Sequence, residues 1–341
     1  MFIKFMQRAL EAALTWSRFR KKPGKSSAGL FKVPTLNSVE ITNYLIPSLA
    51  TSGGPRRCED GVNRGTMTPL ENQSYQKSFI LDMDGVVYTG SALIPGAREF
   101  VGRMMQGDFK FIFLTNNSFH TPLALKERLA DMGIDVPEGC FYTSAMATAT
   151  FLEMQRPEGC SAYVIGGPGI LEELEKRNID VTADRPDYVI LAETDVYDYE
   201  KIIEATWLIQ EGAKFIATNQ DVTGPNRRGP IPACGALVAP IEKATGVFPY
   251  FLGKPNPAMY FWARKKLGVH SANCFMIGDR MDTDIVGGLE SGMTTCLVLS
   301  GVTSREEMDR FPYRPDYVYN RLGEIDPAAI LSKRARVENR E

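Results

Sequence analysis

Two carboxylates two residues apart stand at the end of an apolar run. Asp82 and Asp84 follow residues 79–81 directly, and Gly85 comes after them. An apolar run bounded in this way indicates a buried strand that ends in a loop, and α/β sheets bind ligands at such strand ends. Two neighbouring acids repel each other unless a cation joins them, so the pair indicates a cation site. Taken alone, the stretch also fits a strand followed by an ordinary turn.

Three further apolar runs are followed by polar residues. These are Thr115, Asn116 and Asn117 after residues 110–114, Lys254 after residues 250–253, and Asp279 with Asp284 after residues 274–277. Each has an ordinary alternative, namely a helix cap, a solvated lysine and a turn. Because the strands of a doubly wound sheet end at one edge, we expect all four groups to converge at the edge of a single sheet.

The converging set fits phosphoryl transfer through an aspartate. A carboxylate is a competent nucleophile toward phosphorus, and its approach to an anionic phosphate requires charge neutralisation. Carboxylate-bound Mg²⁺ would supply part of that charge, and Lys254 would supply more. The Thr115 hydroxyl and the backbone N–H groups near Asn116 and Asn117 can hold phosphoryl oxygens. Asp84 would protonate the leaving alkoxide and then take a proton from the hydrolytic water.

The pattern around these groups predicts an α/β fold. From residue 79 onward, strand-length apolar runs alternate with helical segments, which indicates right-handed crossovers and a Rossmann-like, doubly wound parallel sheet. The chain has 341 residues, 44% hydrophobic and 23% charged, with a net charge of −2. This ordinary globular balance gives no reason to expect nucleic acid as a partner, and no apolar run is long enough to span a bilayer.

The cysteine and histidine content disfavours a structural zinc site. The six cysteines include no CxxC pair, and the chain has only two histidines. A reducing compartment fits this usage best, and we expect a cytoplasmic location.

The spacing of the polar groups predicts an inserted domain. From Thr115 to Lys254 the chain runs 139 residues (254 − 115), far more than one crossover requires. We therefore predict a core domain at residues 79–147 and 249–335, with a second α/β unit inserted at residues 148–248. Such a cap would cover the site, exclude water during transfer and touch the leaving group of the substrate.

A loop after one cap strand supplies two more candidates. Asn219 and Asp221 lie in this loop and are predicted to face the core and contact substrate. A capped turn is the alternative interpretation of the same two residues.

Residues 1–78 are predicted to be a separate extension. Their start is basic and amphipathic, and residues 22–66 are rich in Gly, Pro, Ser and Arg. We favour a disordered tail, or sequence upstream of a start at Met67, over an organellar transit peptide or a membrane-surface helix. The predicted chemistry does not use this segment.

The four polar stretches resemble, in order, the four motifs of the haloacid dehalogenase superfamily. They are Asp82-Met83-Asp84-Gly85-Val86, Leu114-Thr115-Asn116-Asn117-Ser118, Gly253-Lys254-Pro255 and Gly278-Asp279-Arg280-Met281-Asp282-Thr283-Asp284. The finer resemblance is to the NagD-like phosphatases of class IIA, and residues 217–221 and 232–237 look like class IIA sequence as well. The resemblance extends from about residue 79 to about residue 326.

The resemblance implies roles for the acidic residues. Asp82 would be the nucleophile and Asp84 the acid and base. Mg²⁺ would be bound by the Asp82 carboxylate, the Asp84 main-chain carbonyl and Asp279, with Asp284 orienting the waters on the metal.

The resemblance also implies a phosphate site and a domain arrangement. Thr115, Asn116 and Lys254 would bind phosphate. The cap would be an α/β domain of the C2 type that carries substrate-selecting loops, and a homodimer through the cap would be compatible with the family.

The residue at position 84 favours a phosphatase over related functions. Superfamily ATPases carry Thr at this position and dehalogenases lack the second acid, whereas Asp84 allows the acyl-phosphate to be hydrolysed. The substrate would be a small phosphorylated metabolite, with a sugar phosphate, a nucleotide monophosphate, phosphoglycolate and pyridoxal phosphate all open. The alternatives are a phosphomutase or phosphotransferase of the same superfamily and a non-catalytic regulatory protein on the same scaffold.

Overall fold

The computed structural model describes residues 77–330, apart from residue 108 and residues 225–227. The extension predicted for residues 1–78 lies outside the described residues except for its last two positions. Across the described part of the chain, no helix is both long and apolar enough to cross a membrane.

Strands and helices alternate along the described chain. The strands are β1 (Ser78–Leu81), β2 (Tyr88–Thr89), β3 (Ala92–Leu93), β4 (Lys110–Thr115), β5 (Phe141–Thr143), β6 (Ser161–Ile165), β7 (Asp180–Val181), β8 (Tyr188–Leu191), β9 (Lys214–Ala217), β10 (Thr223–Gly224), β11 (Ile231–Pro232), β12 (Tyr250–Phe251), β13 (Cys274–Gly278), β14 (Thr294–Val298) and β15 (Tyr317–Tyr319). The helices are α1 (Ala97–Gln106), α2 (Pro122–Asp131), α3 (Ser144–Gln155), α4 (Pro168–Glu175), α5 (Tyr199–Gln210), α6 (Cys234–Leu237), α7 (Ala239–Thr245), α8 (Pro257–Leu267), α9 (Val286–Glu290) and α10 (Arg305–Met308).

Two parallel sheets organise the fold and confirm the predicted α/β class. The larger sheet has six strands in the order β15-β14-β13-β1-β4-β5, and every neighbouring pair is parallel. The second sheet has five parallel strands in the order β12-β9-β8-β6-β7. Its strands fall between β5 and β13 in the chain, so the second sheet is an insertion into the first, as an inserted α/β cap requires.

Strand β1 lies in the interior of the larger sheet, between β13 and β4, and all four of its residues are buried. Successive side chains of a strand point to opposite faces. Accordingly, Phe79 and Leu81 join one hydrophobic cluster, while Ile80 joins another that extends to the second sheet. The Phe79 ring lies against the rings of Phe100 and Phe275, with centroids 6.1 and 5.5 Å away.

The expectation that Lys254 follows a strand of the larger sheet is wrong. Strand β12, which precedes it, pairs with β9 in the second sheet. A two-residue strand at a sheet edge carries too short a pattern to reveal its partner in the sequence. The domain limits 79–147, 148–248 and 249–335 stay a prediction; α3 runs across residue 148, and β12 lies beyond residue 248 in the second sheet.

Replacing Phe79 by alanine tests the central strand. Phe79 is fully buried, so Phe79→Ala should lower the free energy of unfolding by about 3–5 kcal/mol, as large cavities in cores do. Phe248, which is 75% exposed, supplies the matched control, and Phe248→Ala should change stability little. Thermal or urea unfolding followed by circular dichroism measures both variants. Equal effects of the two substitutions would contradict the placement of β1.

Candidate active site

A buried ammonium lies between two carboxylates at the edge of the larger sheet. The Nζ atom of Lys254 is 2.7 Å from Oδ1 of Asp82 and 2.8 Å from Oδ1 of Asp284. The lysine is 3% exposed. Burial alone would lower the pKa of Lys254, but the charges of Asp284 and Asp82 outweigh it and raise the pKa above its usual range. Lys254 is therefore a fixed positive charge beside the carboxyl ends of the strands of the larger sheet.

The pairing of β1 with its neighbours positions the first acid. Leu81 is in register with Ile277 of β13 and Phe113 of β4, so the three strands end within two residues of one another. The backbone N–H of Asp82 donates to the Ile277 carbonyl at 2.9 Å and extends the ladder by one residue. Asp82 thus leaves the sheet beside Asp279, which comes one residue after β13. This is the convergence expected at the carboxyl ends of parallel strands.

Three acids form a cluster that could hold a metal ion. Oxygen atoms of Asp82, Asp279 and Asp284 all lie within 4.8 Å of one another, and all three residues are buried. Burial raises the pKa of Asp279 well above its usual range, and the charges of Asp82 and Asp284 act in the same direction. A cation among these carboxylates would reverse that effect, because it favours the charged forms.

The surroundings of Asp279 fit a cation. Its Oδ2 atom accepts a hydrogen bond from the Val302 N–H at 2.7 Å, whereas its buried Oδ1 atom has no hydrogen-bond partner among the described residues. A Cβ atom on Gly85 would lie 2.4 Å from Asp279 Oδ2, and one on Gly301 would lie 2.0 Å from it. The two glycines therefore leave room for this carboxylate and for a ligand beside it. Carboxylate oxygens are the donors that hard divalent cations prefer.

Asn116 joins the loop after β4 to the segment that carries the lysine. Its side-chain Oδ1 accepts the Lys254 N–H at 2.7 Å, and its Nδ2 donates to the Lys254 carbonyl at 3.2 Å. Gly253 makes this approach possible, because a Cβ atom there would lie 2.6 Å from Asn116 Oδ1. Asn116 thus holds the backbone on both sides of the lysine, although the two residues are far apart in sequence.

The two cap candidates face this loop. Asn219 Nδ2 donates to the Asn116 carbonyl at 2.8 Å, and Asn116 Nδ2 donates to Asp221 Oδ2 at 2.9 Å. The other oxygen of Asp221 lies 3.6 Å from the Arg280 guanidinium. The structure therefore brings Asn219 and Asp221 to the core loop; their contact with substrate stays a prediction.

The remaining predicted residues lie around the same opening. Asp84 is half-buried, and burial raises its pKa against the opposing charge of Arg128. The Thr115 hydroxyl accepts the Asn117 N–H at 3.1 Å, and Asn117 Oδ1 accepts the His120 N–H at 2.8 Å. Asn117 therefore uses its side-chain oxygen to shape the loop, while its backbone stays beside the opening.

A cavity of about 560 Å³ unites the site. Its wall includes residues at the strand ends of the larger sheet, namely Asp82, Asp84, Thr115, Asn116, Asn117 and Asp279. The inserted segment and its return to the core contribute Glu193, Asp221, Thr223, Gly224 and Lys254. The volume is large enough for a phosphate group together with a small organic leaving group.

Two charged residues that line the cavity were not predicted from the sequence. Arg280 lies within a recognised motif but had been assigned no role; its guanidinium pairs with Asp282 at 2.8 Å and approaches Asp221. Glu193 lies two residues after β8 and lines the cavity. A polar residue shortly after a strand was the available signal for Glu193, the same signal that identified Asn219 and Asp221 after β9.

Comparison with known proteins supports the resemblance found in the sequence. Residues 79–180 match the haloacid dehalogenase-like hydrolase family, and residues 251–325 match a HAD-hydrolase-like family. The chain is 45% identical over 248 residues to a dihydroxyacetone phosphatase of Corynebacterium glutamicum, covering 73% of this chain and 90% of the relative. It is 43% identical over 250 residues to the ribonucleotide monophosphatase NagD of Escherichia coli, covering 73% of this chain and 98% of the relative.

Solved structures agree with these sequence relatives. NagD from Escherichia coli K-12 superimposes with a TM-score of 0.70 at 42% identity, covering 74% of this chain and 98% of that structure. A 4-nitrophenylphosphatase from Thermotoga maritima also gives a TM-score of 0.70, at 35% identity, covering 73% of this chain and 96% of that structure.

The chain belongs to the haloacid dehalogenase superfamily. Within it, the chain is a NagD-like member of class IIA and a phosphoric monoester hydrolase. The enzyme class expected from Asp82, Asp84, Lys254 and Asp279 is thereby confirmed.

Substitution of Gly301 tests the metal cluster without touching a carboxylate. A methyl group there would overlap Asp279 Oδ2, so Gly301→Ala should raise the divalent cation concentration needed for half-maximal phosphatase activity at least tenfold. Gly102 has open space around its Cβ position, and Gly102→Ala in α1 should leave this concentration unchanged. An unchanged metal requirement in a folded Gly301→Ala variant would contradict the assignment of Asp279.

The environment of Glu193 predicts a pH-dependent stability. Burial raises its pKa from 4.5 to about 7, aided by the charge of Asp221 and opposed by the Ser118 N–H. A carboxyl whose pKa is higher in the folded state costs stability once it ionises, so wild type should lose stability as pH rises from 5 to 8.

Glu193→Gln removes that titration. We expect its stability advantage over wild type to grow by roughly 2–3 kcal/mol between pH 5 and pH 8, measured by urea unfolding. A constant difference across this range would contradict the raised pKa.

Proposed function

We propose that the chain is a Mg²⁺-dependent phosphatase that hydrolyses small phosphate monoesters through an aspartyl-phosphate at Asp82. The observation that carries the proposal is the buried Lys254 ammonium, which lies 2.7 Å from Asp82 beside a cluster of three carboxylates. The shared cavity supports the proposal, because Asp82, Lys254 and Asp279 all line it.

Asp82 is the proposed nucleophile. Lys254 contacts its Oδ1 atom, and the side chain lies at the cavity wall on a backbone that continues β1. An Asp82 oxygen forms the new bond to phosphorus while the bond from phosphorus to the leaving oxygen breaks. A carboxylate held on a buried strand end needs little reorganisation to reach a bound phosphate.

Charge neutralisation comes from Lys254, from backbone dipoles and from a divalent cation. Asp82, Asp279 and the Asp84 main-chain carbonyl would hold the ion, and Asp284 would orient its waters. Bound there, Mg²⁺ supplies positive charge next to the phosphoryl oxygens. The all-oxygen donor set favours Mg²⁺ over softer metals.

Asp84 is the proposed acid and base. Burial raises its pKa, which favours a protonated carboxyl that can donate to the leaving alkoxide. The resulting carboxylate then accepts a proton from the water that attacks the aspartyl-phosphate, and inorganic phosphate is released. Thr115 and the backbone of Asn116 and Asn117, at the cavity wall, would hold the phosphoryl oxygens through both steps.

The substrate is proposed to be a small phosphorylated metabolite. The relatives include a dihydroxyacetone phosphatase, a ribonucleotide monophosphatase and acid sugar phosphatases, and the cavity of about 560 Å³ accepts a leaving group of that size range. Glu193, Asp221 and Thr223, which belong to the inserted segment and line the cavity, would form the walls next to the leaving group. A cytoplasmic location and a homodimer through the cap remain predictions.

Substitution of the nucleophile tests the mechanism. Asp82→Asn should reduce Mg²⁺-dependent release of inorganic phosphate from an aryl phosphate by at least about 10⁴-fold, because an amide is a poor nucleophile and a weak ligand. EDTA should abolish the wild-type activity.

The matched control is Asp309→Asn, whose side chain is 66% exposed and is not among the residues that line the cavity. This variant should retain full activity. Substantial turnover by folded Asp82→Asn, or full activity of wild type in EDTA, would contradict the mechanism; transfer of phosphate to a second site on the substrate, without release, would favour a phosphomutase.

A further inference from the structure

Ser118 and Glu193 hold each other through reciprocal hydrogen bonds. The Ser118 N–H donates to Glu193 Oε2 at 2.9 Å, and the Glu193 N–H donates to Ser118 Oγ at 2.9 Å. The Thr218 hydroxyl adds a third bond to Ser118 Oγ at 3.0 Å. One residue of the core loop is thus bound by two residues that follow strands of the second sheet.

These contacts hold Ser118, which ends the phosphate-binding loop. The loop comprises residues 115–118 and carries the predicted phosphate-binding residues Thr115, Asn116 and Asn117. Glu193 follows β8, Thr218 follows β9, and these strands are neighbours in the second sheet. The packing here is close, because a Cβ atom on Gly169 would lie 2.6 Å from the Ser118 carbonyl. The Phe119 carbonyl also accepts the Gly169 N–H at 2.8 Å. The far end of the loop is therefore held by the second sheet.

We propose that Glu193 is a positioning residue whose carboxylate holds the phosphate-binding loop in place and thereby sets the affinity for substrate. The inference rests on the proposed function of Thr115, Asn116 and Asn117, and it extends that function to a residue outside the four motifs. Glu193 acts through the Ser118 backbone rather than on the reacting atoms.

Its charge matters because hydrogen bonds to an ionised acceptor are about twice as strong as those to a neutral one. The near end of the loop has its own anchors, since Asn116 is bonded to Asn219 and to the backbone of Lys254. Loss of the Glu193 charge therefore loosens only the Ser118 end. We expect the effect to fall on KM more than on kcat, because Asp82 and Lys254 stay in place.

The surroundings of Glu193 set the pH range in which its charge changes. Burial raises its pKa to about 7, and the charge of Asp221, in the loop after β9, acts in the same direction. Burial lowers the pKa of His120, on the core side, so that this ring loses its proton at lower pH. Burial raises the pKa of Cys234, at the start of α6, to about 11, which leaves the thiol neutral. Among Glu193, His120 and Cys234, Glu193 is the group whose pKa is raised to about 7.

The test compares KM for an aryl phosphate in wild type and Glu193→Gln from pH 6 to pH 8. Gln keeps an oxygen acceptor for the Ser118 N–H but carries no charge at any pH. The ratio of the two KM values cancels the ionisation of the substrate itself. We expect a ratio near one at pH 6 and a rise to roughly three- to tenfold at pH 8, with kcat changed less.

Two variants separate positioning from general structure. Ser118→Ala removes the hydroxyl but keeps the backbone N–H. Its KM should therefore exceed that of wild type at all pH values, while the step, meaning the change of KM with pH near pH 7, should remain. Asp187 accepts the Ser161 N–H at 3.0 Å at the opposite end of β8. Asp187→Asn should therefore leave KM and its pH dependence unchanged.

If both wild type and Glu193→Gln are active and the ratio of their KM values does not change with pH, the role of Glu193 is overturned and the phosphatase proposal stays intact. Absence of hydrolysis by wild type would overturn both. If Glu193→Gln does not fold, Glu193→Asp takes its place, since the shorter carboxylate should raise KM at pH 8 yet keep a step in its pH profile. Loss of that step with normal folding, or no change in KM, would equally overturn the inference.

Discussion

The buried ion pairs of Lys254 are the constraint on which the site depends. An ammonium and two carboxylates are each costly to bury alone, and here each compensates the others at distances of 2.7 and 2.8 Å. The three residues come from segments widely separated in the chain, so the charges balance only when both sheets are complete. The same balance that stabilises the folded chain holds Asp82 in position. The geometry of the candidate site and the stability of the fold thus rely on the same contacts.

Much of the fold could be predicted because its longer elements carry clear patterns. Helix Tyr199–Gln210 begins after an aspartate cap, and helix Pro257–Leu267 begins with a proline after an asparagine cap, both of which are start signals in the sequence. Residues 234–245 form two short helices that meet at Val238 rather than one continuous helix. Pro240 lacks an N–H group and is therefore tolerated in the first turn of the second helix.

The rest depended on contacts that no local pattern reveals. Six of the described strands between residues 77 and 252 are only two residues long, and a period of two cannot be recognised over two residues. The short antiparallel pair β10–β11, which follows β9, is hidden in the sequence for the same reason. Lys254 was identified by its motif and its chemistry, although the sheet assigned to it was wrong. The sequence could not assign Glu193 and Arg280 to the site, because their contacts join the inserted segment to the core.

Asn116 has a consequence for how such enzymes diversify. Its amide both donates to and accepts from the backbone of Lys254, so the loop after β4 of the larger sheet is fastened to the segment that follows β12, the last strand of the second sheet. Because this return point is fixed, the inserted sheet can gain, lose or exchange residues without moving the place at which the chain re-enters the core. Evolution, or an engineer recombining caps between relatives, can therefore treat the segment from β6 to β12 as a replaceable module.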